Sequence, residues 1–166
     1  MFINWEDSTL RFDPVSPDPF ATHGIPLPVY GNYGGPNWSA GQVGGTITPT
    51  SPAPVDDLDA LFKEHDFVYQ STQDPFLRAG ADIQLVEGIS DLTFTDPEAA
   101  LYGGFATLGI LLQLAAGGVV LQDENAIVEE AVGNVETGLA AVPGEAKSLH
   151  GAFHLFEHQF LDLLHV

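Results

Sequence analysis

The chain contains no cysteine and very few basic residues. Without cysteine it can form no disulfide framework and no thiolate site, so any bound metal must use oxygen or imidazole ligands. Lysine and arginine together number 4 against 23 acidic residues, a formal net charge of −19. This balance argues against nucleic acid and anionic membranes as partners. It fits a zwitterionic or neutral surface, a hard divalent cation, or a high-salt environment.

A length of 166 residues is enough for one domain with a substantial core. The first residues, M-F-I-N-W-E-D-S-T, have neither a basic start nor a continuous apolar run, so they do not read as a Sec-type signal peptide. The expectation is a cytoplasmic chain, one exported by another route, or a domain of a longer protein.

The most informative stretch runs from Pro54 to Tyr69, P-V-D-D-L-D-A-L-F-K-E-H-D-F-V-Y. A short acidic side chain at Asp56 or Asp57 is typical of a helix start, and a helix is predicted from about Asp57 to Gln70. On that helix His65 and Tyr69 lie one turn apart with Asp66 beside them. One helix thus offers a base, an anion and a phenol to a common cleft. The alternative is a solvated His-Asp pair on the surface.

A glycine-rich segment from Val29 to Gly45 precedes this helix, V-Y-G-N-Y-G-G-P-N-W-S-A-G-Q-V-G-G. Glycine and asparagine tolerate positive φ, so such a backbone can turn carbonyl oxygens toward one point. Calcium binds six to eight oxygens at about 2.3–2.6 Å. The segment therefore predicts either a calcium loop or an ordinary flexible loop.

Together these two stretches resemble the calcium-dependent phospholipase A2 superfamily, in which a calcium loop Y-G-x-Y-x-G-x-G precedes a helix with P-V-D-x-L-D and H-D. The absence of cysteine makes the chain more similar to the phospholipase domain of parvovirus minor capsid proteins than to venom or pancreatic enzymes. The resemblance covers roughly residues 29–90. The matching positions of the helix are Pro54, Val55, Asp56, Leu58, Asp59, His65, Asp66 and Tyr69.

The resemblance implies a calcium site made of backbone carbonyls and one carboxylate. Carried over by position, the carbonyls are those of Tyr33, Gly35 and Asn37, and the carboxylate is Asp66. The family has glycine where this chain has Asn37, a tolerable departure because a carbonyl is the ligand and Asn accepts left-handed geometry.

The resemblance also implies a second, antiparallel helix whose aspartate holds the catalytic histidine. Such a helix is predicted from about Phe76 or Leu77 to Ile89, and A-D-I-Q-L within it is similar to the parvoviral pattern. Asp82 is the residue chosen for this role, with Asp74 and Asp91 as fallbacks. Leu77, Ala81, Leu85 and Ile89, with Val86, are expected to face the first helix.

Between the loop and the helix lies segment 38–53, which is rich in Gly, Ser, Thr and Pro. It is an insertion relative to compact secreted members of the superfamily, and lengthening a loop in this way costs little entropy. Its apolar side chains have two readings, facing a lipid surface near the cleft or covering the core. They are Trp38, Val43 and Ile47.

Residues 99–121 carry almost no charge. They are long enough for a membrane span, but five glycines, a central Gln113 and the lack of flanking Lys or Arg favour a buried or interfacial helix pair broken near Gly117-Gly118. A helix is predicted to start here, with Asp96 as its N-cap and Pro97 as its first residue. An exposed amphipathic helix interrupted at Gly133 is expected over Asp123 to Ala141.

The last segment predicts a helix with His150, His154 and His158 at four-residue steps. These histidines, with Glu157, suit either a zinc site or a packing face, and the packing face is preferred because a fourth ligand is not evident. His23, in the proline-rich N-terminal arm, is expected to lie on the surface.

The predicted fold is mainly α: an N-terminal arm (1–28), a phospholipase A2-like core (29–95) with paired antiparallel active-site helices and a calcium loop, and a helical C-terminal region (96–166). By resemblance, the function is calcium-dependent hydrolysis of the sn-2 ester of glycerophospholipids. His65 would be the base, Asp82 its partner, and Tyr69 would orient Asp82. Alternatives are a catalytically silent calcium- and lipid-binding module, or a membrane-breaching domain of a larger capsid or toxin. Expected partners are a zwitterionic phospholipid surface and a homo-oligomer or larger assembly; calcium dependence favours a secreted or particle-associated location.

Overall fold

The computed structural model describes residues 2–4, 10–12 and 25–141, and these residues are mainly helical. Six short strands precede the helices. The strands are β1 (Ile3–Asn4), β2 (Leu10–Phe12), β3 (Ile25–Leu27), β4 (Val29–Tyr30), β5 (Trp38–Ser39) and β6 (Gln42–Val43). The helices are α1 (Asp57–Ser71), α2 (Pro75–Ser90), α3 (Pro97–Ala116) and α4 (Glu124–Ala141). The mainly α class predicted from the sequence is confirmed.

The chain divides into two compact units. One contains residues 1–10 and 26–93, and the other contains residues 11–25 and 94–166. The first unit holds the glycine-rich loop, α1 and α2, and therefore every residue that the resemblance assigns to a site.

Helix α1 begins where short acidic side chains can satisfy its free N–H groups. Asp56 is the N-cap, and its Oδ1 accepts the N–H of Asp59 at 2.8 Å. The buried side of the helix carries Leu58, Asp59 and Phe62. A carboxylate thus lies within the apolar face of α1.

Helix α2 begins at Asp74, whose side chain accepts the Phe76 N–H, and Pro75 follows in the first turn. The turn between α1 and α2 is short, and the two helices run antiparallel, because Gly88 lies against Leu61 while Asp82 contacts Tyr69. Leu77 was expected on the stripe that faces α1, but this prediction is wrong, since its side chain is exposed. Leu77 lies in the first turn of α2, ahead of Ala81, the first buried residue of the helix.

Before α1, the backbone forms two narrow antiparallel ribbons in the first unit. β1 pairs with β4, and β5 pairs with β6 across a tight turn. Trp38 is buried, and its Nε1 donates to the Gly31 carbonyl at 3.2 Å, so this side chain covers the core. Val43 is exposed and Ile47 is half-buried. β2 and β3 form a further two-stranded sheet.

In the second unit, α3 and α4 pack closely at two points where one helix has a glycine in place of a side chain. A Cβ on Gly104 would lie 2.5 Å from the Ala131 carbonyl oxygen, and one on Gly138 would lie 2.4 Å from Leu101 Cβ. Asp96 and Pro97 cap α3 as predicted, and the helix ends at Gly117.

The prediction that α4 is interrupted at Gly133 is wrong, because the helix is continuous from Glu124 to Ala141. A single glycine costs a helix only about 1 kcal/mol, which packing of the buried face can offset. That face carries Val128, Ala131, Val135, Gly138 and Leu139.

Helix α3 is the one helix among the described residues that is long and apolar enough to cross a membrane, by length and composition only. An 18-residue stretch of this helix has a mean hydropathy of 1.6, and half of that stretch is buried within the protein. Core helices of soluble proteins pass the same test. The expected terminal helix with His150, His154 and His158, and His23 of the N-terminal arm, lie outside the described residues.

Candidate functional site

His65, Tyr69 and Asp82 meet where α1 and α2 face each other. Asp82 is 3 % exposed. One of its oxygens, Oδ1, lies 2.7 Å from His65 Nε2. The Tyr69 hydroxyl donates to both oxygens of the same carboxylate, at 2.8 and 2.9 Å. The three side chains to which the resemblance gives catalytic roles are therefore linked by hydrogen bonds through Asp82 in the folded chain.

The contact with Asp82 fixes the role of each imidazole nitrogen. An ionised carboxylate can only accept hydrogen bonds, so Nε2 carries the proton and donates it to Asp82. In the neutral imidazole the other nitrogen, Nδ1, is then the one with a free lone pair. His65 Nδ1 is thus the atom able to take a proton from a bound molecule.

Asp66, the next residue, places a second carboxylate near the imidazole. Its Oδ1 lies 3.8 Å from His65 Nδ1, which is longer than a hydrogen bond but close enough for charges to interact. Burial lowers the pKa of His65, but Asp66 and Asp82 favour the charged ring more strongly, so the pKa lies above its ordinary value of 6.5. The paired carboxylates make the imidazole a stronger base.

Arg78 of α2 holds Tyr69 in place from outside this cluster. Its guanidinium lies 4.7 Å from the centre of the Tyr69 ring. It also donates to the carbonyls of Tyr69 at 3.0 Å and Thr72 at 2.9 Å. The last turn of α1 contains no basic residue, so Arg78 supplies the positive group that suits a helix C-terminus.

The glycine-rich loop is tied to the start of α1 by two carboxylates. Asp59 is 0 % exposed and accepts the N–H of Tyr33 at 2.8 Å and that of Asn32 at 3.1 and 3.0 Å. The Tyr30 hydroxyl donates to Asp56. Burial raises the pKa of Asp59 above its ordinary value of 3.8, and the backbone N–H groups oppose that rise. The loop is therefore fixed on a definite stretch of α1.

The first part of the loop lies along the first turns of α1. Gly31 lies against Asp59, and Gly34 lies against Phe62, one turn further along the helix. Lys63 Nζ is 5.1 Å from the centre of the Tyr33 ring, so the side chain of Tyr33 also lies against α1. Gly31 and Gly34 thus contact the helix on the stretch that precedes Asp66.

The loop backbone has the left-handed conformations that an inward-turned carbonyl loop requires. φ is +142° at Gly35 and +54° at Asn37. The Gly35 carbonyl accepts the Trp38 N–H at 3.2 Å, and the Asn37 carbonyl accepts the Gly44 N–H at 2.7 Å. Each carbonyl has two lone pairs, so these bonds leave a coordination position on both oxygens.

Asp66 has a chemical feature that suits a cation. Its Oδ2 is buried without a hydrogen-bond partner among the described residues. A buried carboxylate oxygen with no partner is unfavourable unless a ligand satisfies it. Asp66 follows Asp59 by seven residues, so both side chains lie on the same side of α1, about 10 Å apart along its axis. The donor set of carboxylate and carbonyl oxygens fits a hard cation such as calcium.

A groove of about 530 Å³ also borders His65. Its apolar lining includes Leu61, Val68 and Leu85. On a helix of 3.6 residues per turn, Leu61 and Val68 point roughly 140–160° away from Asp66. Among the described residues, His65 lines this groove and Asp66 does not.

Asp59 is the residue of this region whose role sequence reasoning missed. It was recognised only as part of the P-V-D-D-L-D pattern. The available signal was its position in the helix, because Asp59 follows Leu58 and lies three residues before Phe62 on the apolar side. Asp74 and Asp91, the fallback partners for His65, instead cap the two ends of α2.

Comparison of the chain with protein-family models, with curated protein sequences and with solved structures gives no significant match.

Proposed function

We propose that the chain is a calcium-dependent phospholipase that hydrolyses the sn-2 ester of glycerophospholipids. The observation that carries the proposal is the arrangement around His65. Nε2 is held by buried Asp82, Nδ1 is the available base, and the neighbouring Asp66 has a buried oxygen with no hydrogen-bond partner in the described part of the chain. This arrangement supports the resemblance to the phospholipase A2 superfamily and its paired active-site helices.

The reaction needs no serine or cysteine nucleophile. His65 Nδ1 takes a proton from a water molecule, whose oxygen bonds to the ester carbonyl carbon. Asp82 accepts from Nε2–H and stabilises the imidazolium that forms, and Tyr69 holds Asp82 in position. When the ester C–O bond breaks, the imidazolium returns the proton to the departing glycerol oxygen. The products are a fatty acid and a lysophospholipid.

Asp66 and the carbonyls of Tyr33, Gly35 and Asn37 would hold the calcium ion. Calcium would supply, when bound, the positive charge that binds the phosphate and stabilises negative charge on the ester oxygen. The strongly negative chain has few cations of its own for these tasks. Asp66→Asn should therefore weaken calcium binding as well as hydrolysis.

The charge also bears on the lipid surface. A net charge of −19 opposes adsorption to anionic bilayers, so the proposed substrate surface is zwitterionic, such as phosphatidylcholine. Dependence on calcium favours action outside the cytosol, where calcium is more abundant, in a secreted or particle-associated protein. A larger assembly or a homo-oligomer is compatible with this role.

The test is release of sn-2 fatty acid from phosphatidylcholine vesicles, with calcium and with EDTA, by the wild type, His65→Gln and Glu64→Gln. Glu64 is an exposed neighbour on the same helix and serves as the control. Release that requires calcium and His65, and survives in the Glu64 variant, is the expected result. Binding of calcium and of the vesicles without release would instead favour a catalytically silent calcium- and lipid-binding module. A protein that neither binds calcium nor releases fatty acid would refute the proposed site.

A further inference from the structure

Asp59 is a charged side chain buried completely in the first unit, and its contacts are with backbone. Its two oxygens accept N–H groups from Asn32, Tyr33 and Val55, the last at 2.9 Å. A buried carboxylate is unfavourable unless hydrogen bonds satisfy it. Here the donors are consecutive loop residues and the segment just before α1. The carboxylate thus joins two chain segments that are more than 20 residues apart.

Capping of α1 does not require this residue. Asp56 is the N-cap and accepts the Asp59 N–H through its Oδ1. The other oxygen of Asp56 accepts the Tyr30 hydroxyl. The Asp59 side chain is therefore free to leave the helix axis and bind the loop.

The loop is shaped to fit this carboxylate. Gly31 has φ of +54°, and a Cβ at this position would lie 2.5 Å from Asp59 Cγ. The backbone of Gly31 therefore lies so close to the carboxyl group that only glycine fits at this position. The N–H groups that follow, those of Asn32 and Tyr33, are then directed at its oxygens.

We propose that Asp59 is the positioning residue of the calcium loop, which holds the loop backbone so that its carbonyls face Asp66. Asp59 and Asp66 lie on one side of α1 about two turns apart. Gly31 contacts Asp59, and Gly34 contacts Phe62, which lies between these two residues on the helix. The bound N–H of Tyr33 fixes the Asn32–Tyr33 peptide. The next peptide carries the proposed ligand, the Tyr33 carbonyl, and its Gly34 N–H donates to the Tyr30 carbonyl at 2.8 Å, so the two bonds together orient this part of the loop. A loop ordered before the ion arrives binds it more tightly, because less entropy is lost on binding.

The inference rests on the proposed function, and its first test is calcium affinity measured by titration calorimetry on the full chain. Asp59→Asn keeps the shape of the side chain but turns an amide donor toward the backbone N–H groups. Asp57→Asn is the matched control, since Asp57 is an exposed carboxylate in the same first turn. We expect a roughly 10–100-fold weaker affinity for the Asp59 variant, as for other residues that orient metal ligands, and less than a twofold change for the control.

A second pair of variants tests the same contact from the loop side. Gly31→Ala forces a methyl group against the Asp59 carboxylate. Gly118→Ala introduces an alanine at a similar φ of +76°, and no described residue lies within 4 Å of the added Cβ, so this variant reproduces the backbone strain without the contact. Calcium affinity should fall only in the Gly31 variant. This pair decides the question if Asp59→Asn does not fold in EDTA.

The outcomes separate the two proposals. The positioning role is supported if the Asp59 and Gly31 variants lose calcium affinity while their thermal unfolding in EDTA stays close to that of the wild type. Calcium binding and fatty acid release by the wild type, with unchanged affinity in folded Asp59 and Gly31 variants, would overturn this role and leave the phospholipase standing. A wild type that neither binds calcium nor releases fatty acid would overturn both.

Discussion

Replacing Asp82 by Asn tests the proposed catalytic geometry most directly. Asn has the same shape and can still accept a hydrogen bond from His65 Nε2, so the fold and the neutral imidazole should persist. What is lost is the negative charge 2.7 Å from Nε2, which matters when the imidazole becomes positively charged during the reaction. The variant therefore separates catalysis from folding.

The expected size of the effect follows from the burial of the pair. Removing one partner of a buried, hydrogen-bonded charge pair costs about 3–5 kcal/mol. Because about 1.4 kcal/mol corresponds to a factor of ten in rate, kcat should fall by roughly 10²–10⁴. KM and calcium affinity should change little, since Asp82 is proposed to touch neither substrate nor ion.

The assay is the initial rate of sn-2 fatty acid release from phosphatidylcholine vesicles in saturating calcium. Asp91→Asn is the control, because Asp91 is an exposed aspartate at the C-terminal end of the same helix. If a folded Asp82→Asn protein keeps kcat within about tenfold of the wild type, the reasoning about the imidazolium is refuted. An equal loss in the Asp91 variant would also refute it.

Two further predictions concern stability. The raised pKa of His65 means that the folded protein binds the proton more tightly than the unfolded chain. In EDTA, protonation of His65 therefore adds to the free energy of unfolding: this addition is fully present below pH 6.5 and is lost as the pH rises through the pKa of the folded state. Urea unfolding should show this decrease for the wild type, and a His65→Gln protein that keeps the same pH slope would contradict it. In the second unit, Gly138→Ala should destabilise by about 1–3 kcal/mol because its methyl group would meet Leu101. Gly133→Ala, with open space around it, should stabilise by about 1 kcal/mol, and thermal unfolding that ranks these two variants the other way would refute the packing of α3 on α4.

The sequence predicted the helices of the first unit well because their starts carry strong local signals. Asp56 before α1 and Asp74-Pro75 before α2 are side chains that stabilise helix N-termini regardless of tertiary context. Local chemistry was sufficient there. The choice of Asp82 as the partner of His65 came from the family resemblance.

Where the sequence predictions were wrong or left two alternatives open, tertiary contacts determine the structure. Gly133 ends no helix, because α4 gains more from packing on α3 than one glycine costs. The sequence left Trp38 between lipid and core, and a carbonyl partner at Gly31 places it in the core. Asp59 looked like one more acidic residue in a first turn, because its partners are backbone groups of a distant segment that no local pattern reveals.

The position of Arg78 has a consequence for how the first unit opens. Because Arg78 lies on α2 and binds the last carbonyls of α1, the end of one helix cannot fray without disturbing the start of the other. The two termini should therefore open as a single cooperative step rather than independently. In hydrogen exchange, the amides near the end of α1 and those in the first turns of α2 should share one opening free energy, and Arg78→Ala should lower it for both together.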